Sequence, residues 1–209
     1  MQHRSRTFRW GVDVSSCVRH ALRVFETASE LVALDALLAE SFERAGGHLT
    51  SIISADRRLS AADLSRYLVG VRHLVVATVT SSGEPRCSAV DGLFIHGRVW
   101  FSTSGDSFKA RHLERRPTLS GAHVVGDDVA VFVHGRARVV HGGPGEADEI
   151  RHFWTEVYRA SPEDWVPTPA EARYVEIVPA SMYSYAFSRD RFEKLCEPVD
   201  TTGLEDVDG

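Results

Sequence analysis

Lysine is almost missing. Of 24 basic residues only Lys109 and Lys194 are Lys, and the rest are Arg. A general preference for Arg codons accounts for the bias, and it makes the place of each lysine worth reading. Cysteine is equally sparse: Cys17, Cys87 and Cys196 are odd in number, far apart, and never in C-x-x-C spacing. That excludes a disulfide framework and a thiolate zinc site, and it fits a reducing compartment. No apolar run is long enough to span a bilayer, and the basic start, Met1 to Arg9, leads into Trp10-Gly11-Val12-Asp13 rather than a signal-peptide core. The expectation is an unprocessed cytoplasmic protein with no membrane partner.

Several motifs are absent too. There is no G-x-G-x-x-G, no G-x-x-x-x-G-K-[ST], no H-E-x-x-H, no G-x-S-x-G and no EF-hand loop. Glu149-Ile150-Arg151-His152 is a lone E-x-x-H, where a di-iron site needs two such copies and two further carboxylates, so it reads as a solvated polar face and no metal is expected. The formal charge of −5 over 209 residues is concentrated at one end. Glu197, Asp200, Glu205, Asp206 and Asp208 supply five negatives after Cys196 with no basic residue among them. The remaining body is neutral and lacks the broad positive field that a phosphate backbone demands, which argues against nucleic acid as a partner. The segment 196–209 reads as an acidic disordered tail.

Helical periodicity comes first in the chain. Val18, Leu22, Phe25, Ala28 and Val32, widened by Leu31, Leu34, Leu38 and Phe42, predict one helix from about Ser15 to Ala45, ended by Gly46-Gly47, inside a helical extension covering 1–60. Ser60-Ala61-Ala62-Asp63 has the form of a capping box and opens a short helix through Val69.

Beyond Arg72 short β-rich runs alternate with turns. Strands are predicted at 73–80, 86–95, 98–103, 118–125 and 129–141, with one or two more over 173–178 and 182–187. Helices are predicted from about Asp106 to Arg116 and from Glu146 to about Arg159, the latter burying Ile150, Phe153, Trp154 and Val157, with a proline-rich loop over 160–170. The sum is a mainly β fold with flanking helices: about six antiparallel strands closing a small barrel over 61–195.

The most informative stretch is Phe101-Ser102-Thr103-Ser104-Gly105-Asp106-Ser107-Phe108-Lys109-Ala110-Arg111. A strand ends in hydroxyls, a glycine turn follows, and a helix opens with its free N–H groups facing back. Thr103 and Ser107 add donors. Lys109 puts a full positive charge in the first turn, against the helix dipole, and a bound anion would relieve that conflict. The plain alternative is an ordinary cap at Asp106 or Ser107 beside an ordinary surface lysine.

These residues resemble a known family. Gly83-Glu84-Pro85-Arg86 leading into a strand, a hairpin to a strand that ends in an aromatic and Thr103, then Ser107-Phe108-Lys109-Ala110-Arg111, Leu113 and Pro117, is similar to the pyridoxamine 5'-phosphate oxidase-like family of split β-barrel flavoproteins. The similarity runs from about Leu64 to Val140, with an echo at Arg173 to Pro179. It implies a six-stranded split barrel, a homodimer, and FMN or the deazaflavin coenzyme F-420 in a groove between protomers. Thr103, Ser107 and Lys109 fall where the family holds the cofactor phosphate. Arg86, Ser88 and Val90 fall on the strand along the ring and its tail, and Arg111 is a further candidate for the anion. Phe108 stands where the oxidases proper often have Arg, and no counterpart of their C-terminal Arg and His is found, so pyridoxine phosphate oxidation is not expected.

The resemblance therefore implies an oxidoreductase moving hydride between a flavin or deazaflavin and a small organic substrate. The catalytic proton donor is not identified by the sequence, with His134, Tyr183 and Tyr185 as candidates. Alternatives are a storage or sensor protein that carries FMN, deazaflavin or haem without turnover, and an interaction protein whose N-terminal helix docks a partner.

Overall fold

The structure is a computed structural model that describes residues 25–196. Its centre is a closed six-stranded antiparallel barrel: β1 (Arg72–Val79), β2 (Pro85–Ile95), β3 (Arg98–Ser104), β4 (Thr118–Val125), β5 (Val129–His141) and β6 (Ala172–Ala186), in the spatial order β1-β2-β3-β6-β5-β4. The helices are α1 (Ala28–Glu43), α2 (Gly47–Ile52), α3 (Ala61–Tyr67), α4 (Phe108–Arg115), α5 (Asp148–Tyr158) and α6 (Arg189–Cys196). Among the described residues no helix is long and apolar enough to cross a membrane.

Local chemistry sets these boundaries. The single helix expected over 15–45 is corrected: residues 25–27 are not helical, and α1 starts at Ala28 because Thr27 and Glu30 close a reciprocal capping box. At its other end Arg44 caps the helix, and Gly46 serves as the N-cap of α2 rather than as a terminator alone. Residues 15–24 and the tail beyond Cys196 lie outside the described residues, as does Cys17. The capping box at Ser60 is present, with Asp63 reaching back to the Ser60 N–H at 2.9 Å. The segments 173–178 and 182–187 form one strand, β6, which passes Pro179 through a bulge opposite Gly135. A Cβ at Gly135 would stand 2.0 Å from the Val178 carbonyl oxygen, so the close approach of β5 and β6 there requires glycine.

Two apolar clusters fill the structure. One fills the barrel with Val76, Phe101, Val133, Val175 and Ile177, and continues into Leu34 and Leu38 of α1, Leu64 of α3 and Phe192 of α6. The other packs Ile150 and Trp154 of α5 against Leu93, Ile95, Trp100 and Tyr174. The α1 helix is tied to β6 by the Met182 N–H, which donates to Ser41 Oγ at 2.9 Å.

The feature that positions the site is an incomplete ladder. β2 pairs with β1 from Pro85 to Gly92, and with β3 only over Gly92–Ile95. From Pro85 to Asp91 its second edge has no strand beside it among the described residues, and Ser102, Thr103 and Ser104 of β3 pair with β6 alone. The barrel is split at that point, and α4 begins just past the end of β3.

Candidate functional site

Ser107 is the N-cap of α4. Its Oγ accepts from the Ala110 N–H at 3.2 Å, which spends part of the helix's free donor capacity on an ordinary cap. The same oxygen accepts from Thr103 Oγ1 at 3.0 Å, and Thr103 Oγ1 accepts from Lys109 Nζ at 3.3 Å. The three residues therefore form one chain of hydrogen bonds across the strand-to-helix turn. Lys109 is half-buried, and among the described residues no carboxylate pairs with it. Burial holds its ammonium below the ordinary lysine value of 10.5. A partly desolvated cation whose only acceptor is a neutral hydroxyl is electrostatically incomplete, and a small anion completes it.

Lys109 opens onto a cleft of about 460 Å³ whose lining includes Thr78, Arg86, Cys87, Ser88, Phe108 and His112. This is the gap in the barrel. Arg86 and Ser88 come to it from the half of β2 that pairs with β1 alone, on the side that faces the barrel interior, opposite Thr78 and Val76 of β1. Arg86 is exposed and donates to Glu84 Oε2 at 2.9 Å, so part of its charge is already met. Val90, one step further in, is buried in the core and does not line the cleft.

Arg111 also lies elsewhere. Its guanidinium sits 5.0 Å from the centre of the Phe108 ring and lines a neighbouring groove of about 530 Å³, with Thr80, Ser81, His112, Arg115 and Arg116. Phe108, 77% exposed, stands between the two spaces and contributes to both.

The candidate proton donors are not in either space. His134 shares a hydrogen bond with Ser120 Oγ at 2.8 Å, and Tyr183 packs edge-on against Phe42 at 5.4 Å between ring centres. Tyr185 pairs across the sheet with Ala130. The imidazole that does reach the cleft is His112, not singled out by sequence, with Nδ1 3.0 Å from Thr78 Oγ1. The available signal was its spacing: Phe108, Arg111, His112 and Arg115 recur on one face of α4 with no apolar stripe.

The family model for pyridoxamine 5'-phosphate oxidase matches residues 65–184, which spans the barrel from α3 into β6. The chain belongs to this family. Among solved structures, a conserved hypothetical protein from Mycobacterium tuberculosis is 25% identical, with a TM-score of 0.51 over 71% of this chain and 95% of that one. An FMN-binding, pyridoxamine 5'-phosphate oxidase-related protein from Nostoc punctiforme is 16% identical, with a TM-score of 0.45, covering 66% of this chain and 83% of that one. An F-420 reductase is also 16% identical, with a TM-score of 0.45, covering 56% and 92%. No curated protein sequence matches.

Proposed function

We propose that the chain binds the phosphate-bearing tail of a flavin-type cofactor, FMN or the deazaflavin F-420, in the cleft at Lys109, and acts as an oxidoreductase on a small organic substrate. The observation that carries this reading is Lys109 itself, half-buried, without a carboxylate partner, and linked through Thr103 to the cap of α4. Family membership supports it. The donor set fits a phosphate monoester, since Lys109 lines the cleft together with Ser88 and is tied through Thr103 to the Ser107 cap at the first turn of α4.

The bound cofactor would supply the hydride-transfer chemistry. The chain's own part is binding and orientation. Lys109 and the α4 terminus would hold the anionic end, with Arg86 and Ser88 in the lining of the same cleft. His112, held by Thr78, is the imidazole that lines the cleft. The half of β2 from Pro85 to Ala89 is exposed apart from the half-buried Ser88, and Val75 beside it is 49% exposed. These exposed surfaces beside the cleft support a homodimer with the cleft at its interface.

Titration of FMN and F-420 into the wild-type protein and Lys109→Ala tests the cofactor reading. Loss of a charged hydrogen bond weakens phosphate-bearing ligands by about 1.5–3 kcal/mol, roughly tenfold to a hundredfold, while riboflavin, which lacks the phosphate, is affected far less. Equal affinity of both proteins for both cofactors removes Lys109 from the site. Reduction of the bound cofactor by a donor and its reoxidation by a quinone or enone separates an enzyme from a carrier. Sedimentation equilibrium of the full chain reads the dimer.

A further inference from the structure

Lys109 is carried by α4, so its place beside Thr103 depends on how that helix is set against the barrel. Ala110 and Leu113 bury the inner face of α4. Apolar burial is non-directional and does not by itself fix the tilt of a helix or the height of its first turn. The directional ties come from two sides. Toward β1, His112 meets Thr78 at 3.0 Å and Arg116 donates to the Thr80 and Ser81 carbonyls. Toward β6, the ties converge on Arg173. Its backbone stands opposite Thr103 in the β3–β6 ladder. Its guanidinium lies against the turn before α4, where a Cβ at Gly105 would stand 2.8 Å from Arg173 Cζ and Nη2. Its Nε is 3.8 Å from Oε1 of Glu114, in the last turn of α4. The side chain is only 14% exposed, and Nη1 donates to the Ala170 and Ala172 carbonyls at 2.7 and 3.0 Å. The Gly105 N–H donates to the Glu171 carbonyl at 2.7 Å, which fastens the same turn to the entry of β6.

We infer that Arg173 is a positioning residue for the anion site: from β6 it braces the Gly105 turn and Glu114 together, and so sets the place of Lys109 Nζ beside Thr103. A guanidinium suits this role because its planar fork can meet several fixed acceptors at once, and its own backbone shares the ladder with the residue that Lys109 contacts. That this placement governs phosphate binding rests on the cofactor reading above; the placement itself does not.

Lysine-selective isotope labelling of the full chain gives two side-chain NMR signals, from Lys109 and Lys194, and Lys109→Ala assigns them. Titrating the Lys109 signal with pH reads its placement without any ligand. When the brace is released, Lys109 gains water and its midpoint rises toward the ordinary lysine value. Arg173→Met is expected to raise it, but removal of a neighbouring cation acts in the same direction. Glu114→Gln separates the two causes, because loss of an anion alone lowers the midpoint of a lysine, whereas loss of the brace raises it. A rise in both variants is the expected result. In FMN titrations Arg173→Met loses roughly tenfold in affinity, Glu114→Gln loses less, riboflavin is affected far less than FMN, and Arg173→Met costs nothing further in a Lys109→Ala background. A fall or no change of the midpoint in Glu114→Gln overturns the inference. FMN affinity equal to wild type in both variants overturns it too, as does a full further loss from Arg173→Met when Lys109 is already absent. Failure of the wild-type protein to bind FMN or F-420 overturns the cofactor reading alone, and the Lys109 titration then decides the placement.

Discussion

The two halves of β2 belong to one strand, yet they meet different partners and opposite environments. From Gly92 to Ile95 the strand pairs with β3, Gly92 alone pairing with β1 as well, and its side chains are buried in both apolar clusters. From Pro85 to Asp91 it keeps one partner, and most of its side chains face solvent. The closed half contributes stability and the open half contributes a wall of the candidate site. A barrel strand can be specialised along its length simply by the neighbouring strand turning away.

Substitutions on either side of Gly92 test this division. Phe101→Ala, opposite Gly92 and fully buried, removes a central core ring, and urea unfolding should register a loss of about 3–5 kcal/mol. Cofactor affinity at a temperature where the variant stays folded should change much less than stability.

Lys109→Met, in the open region, gives the reverse pattern. Cofactor affinity should fall by about 1.5–3 kcal/mol in a fluorescence titration, whereas the apoprotein should become somewhat more stable at neutral pH. The sign follows from burial. Because the folded-state pKa of Lys109 is depressed below 10.5, the folded apoprotein carries an unfavourable charge at neutral pH, and the penalty fades as pH rises through that depressed value. For the same reason, affinity of the wild-type protein for an anionic cofactor should decline on the alkaline side before ordinary lysines titrate. An alkaline limb of the same shape in Lys109→Met would break the assignment.

Gly92→Ala lies at the junction. A new Cβ would stand 2.4 Å from Leu74 Cδ1 and 3.2 Å from the Arg72 carbonyl oxygen, and Leu74 is a core residue with little room to move. Overpacking of this kind costs about 1–3 kcal/mol in denaturant melts. The smallest effect belongs to Arg86→Ala, where an exposed pair with Glu84 is lost and stability should stay within about 0.5 kcal/mol of wild type. A larger loss would mean that the open half of β2 carries structure after all.

Much of the architecture was legible because β-branched runs and turn residues are local signals. All six strands, α3 with its capping box and the strand-turn-helix at Thr103 to Lys109 follow from short-range chemistry. The long N-terminal helix was misread for an instructive reason: apolar periodicity continues through residues 25–27, but the reciprocal bonds of Thr27 and Glu30 end the helix there. Lys109 could be found because lysine is rare in this chain. The displacement of Arg111 from the Lys109 cleft, the burial of Val90 and the approach of His112 to Thr78 depend on how α4 packs on β1, which no local pattern encodes.

β6 is the last strand of the barrel, and it pairs with β3 over Ala172–Ile177 and with β5 along almost its whole length. Until this segment has been synthesised, both of those partners carry unpaired edges, so a nascent or truncated chain ending before Ala172 is a template for association with other chains. The barrel therefore closes late and over long sequence separations, a topology that folds slowly. Loss of the C-terminal strand should yield aggregate rather than a weakened protein.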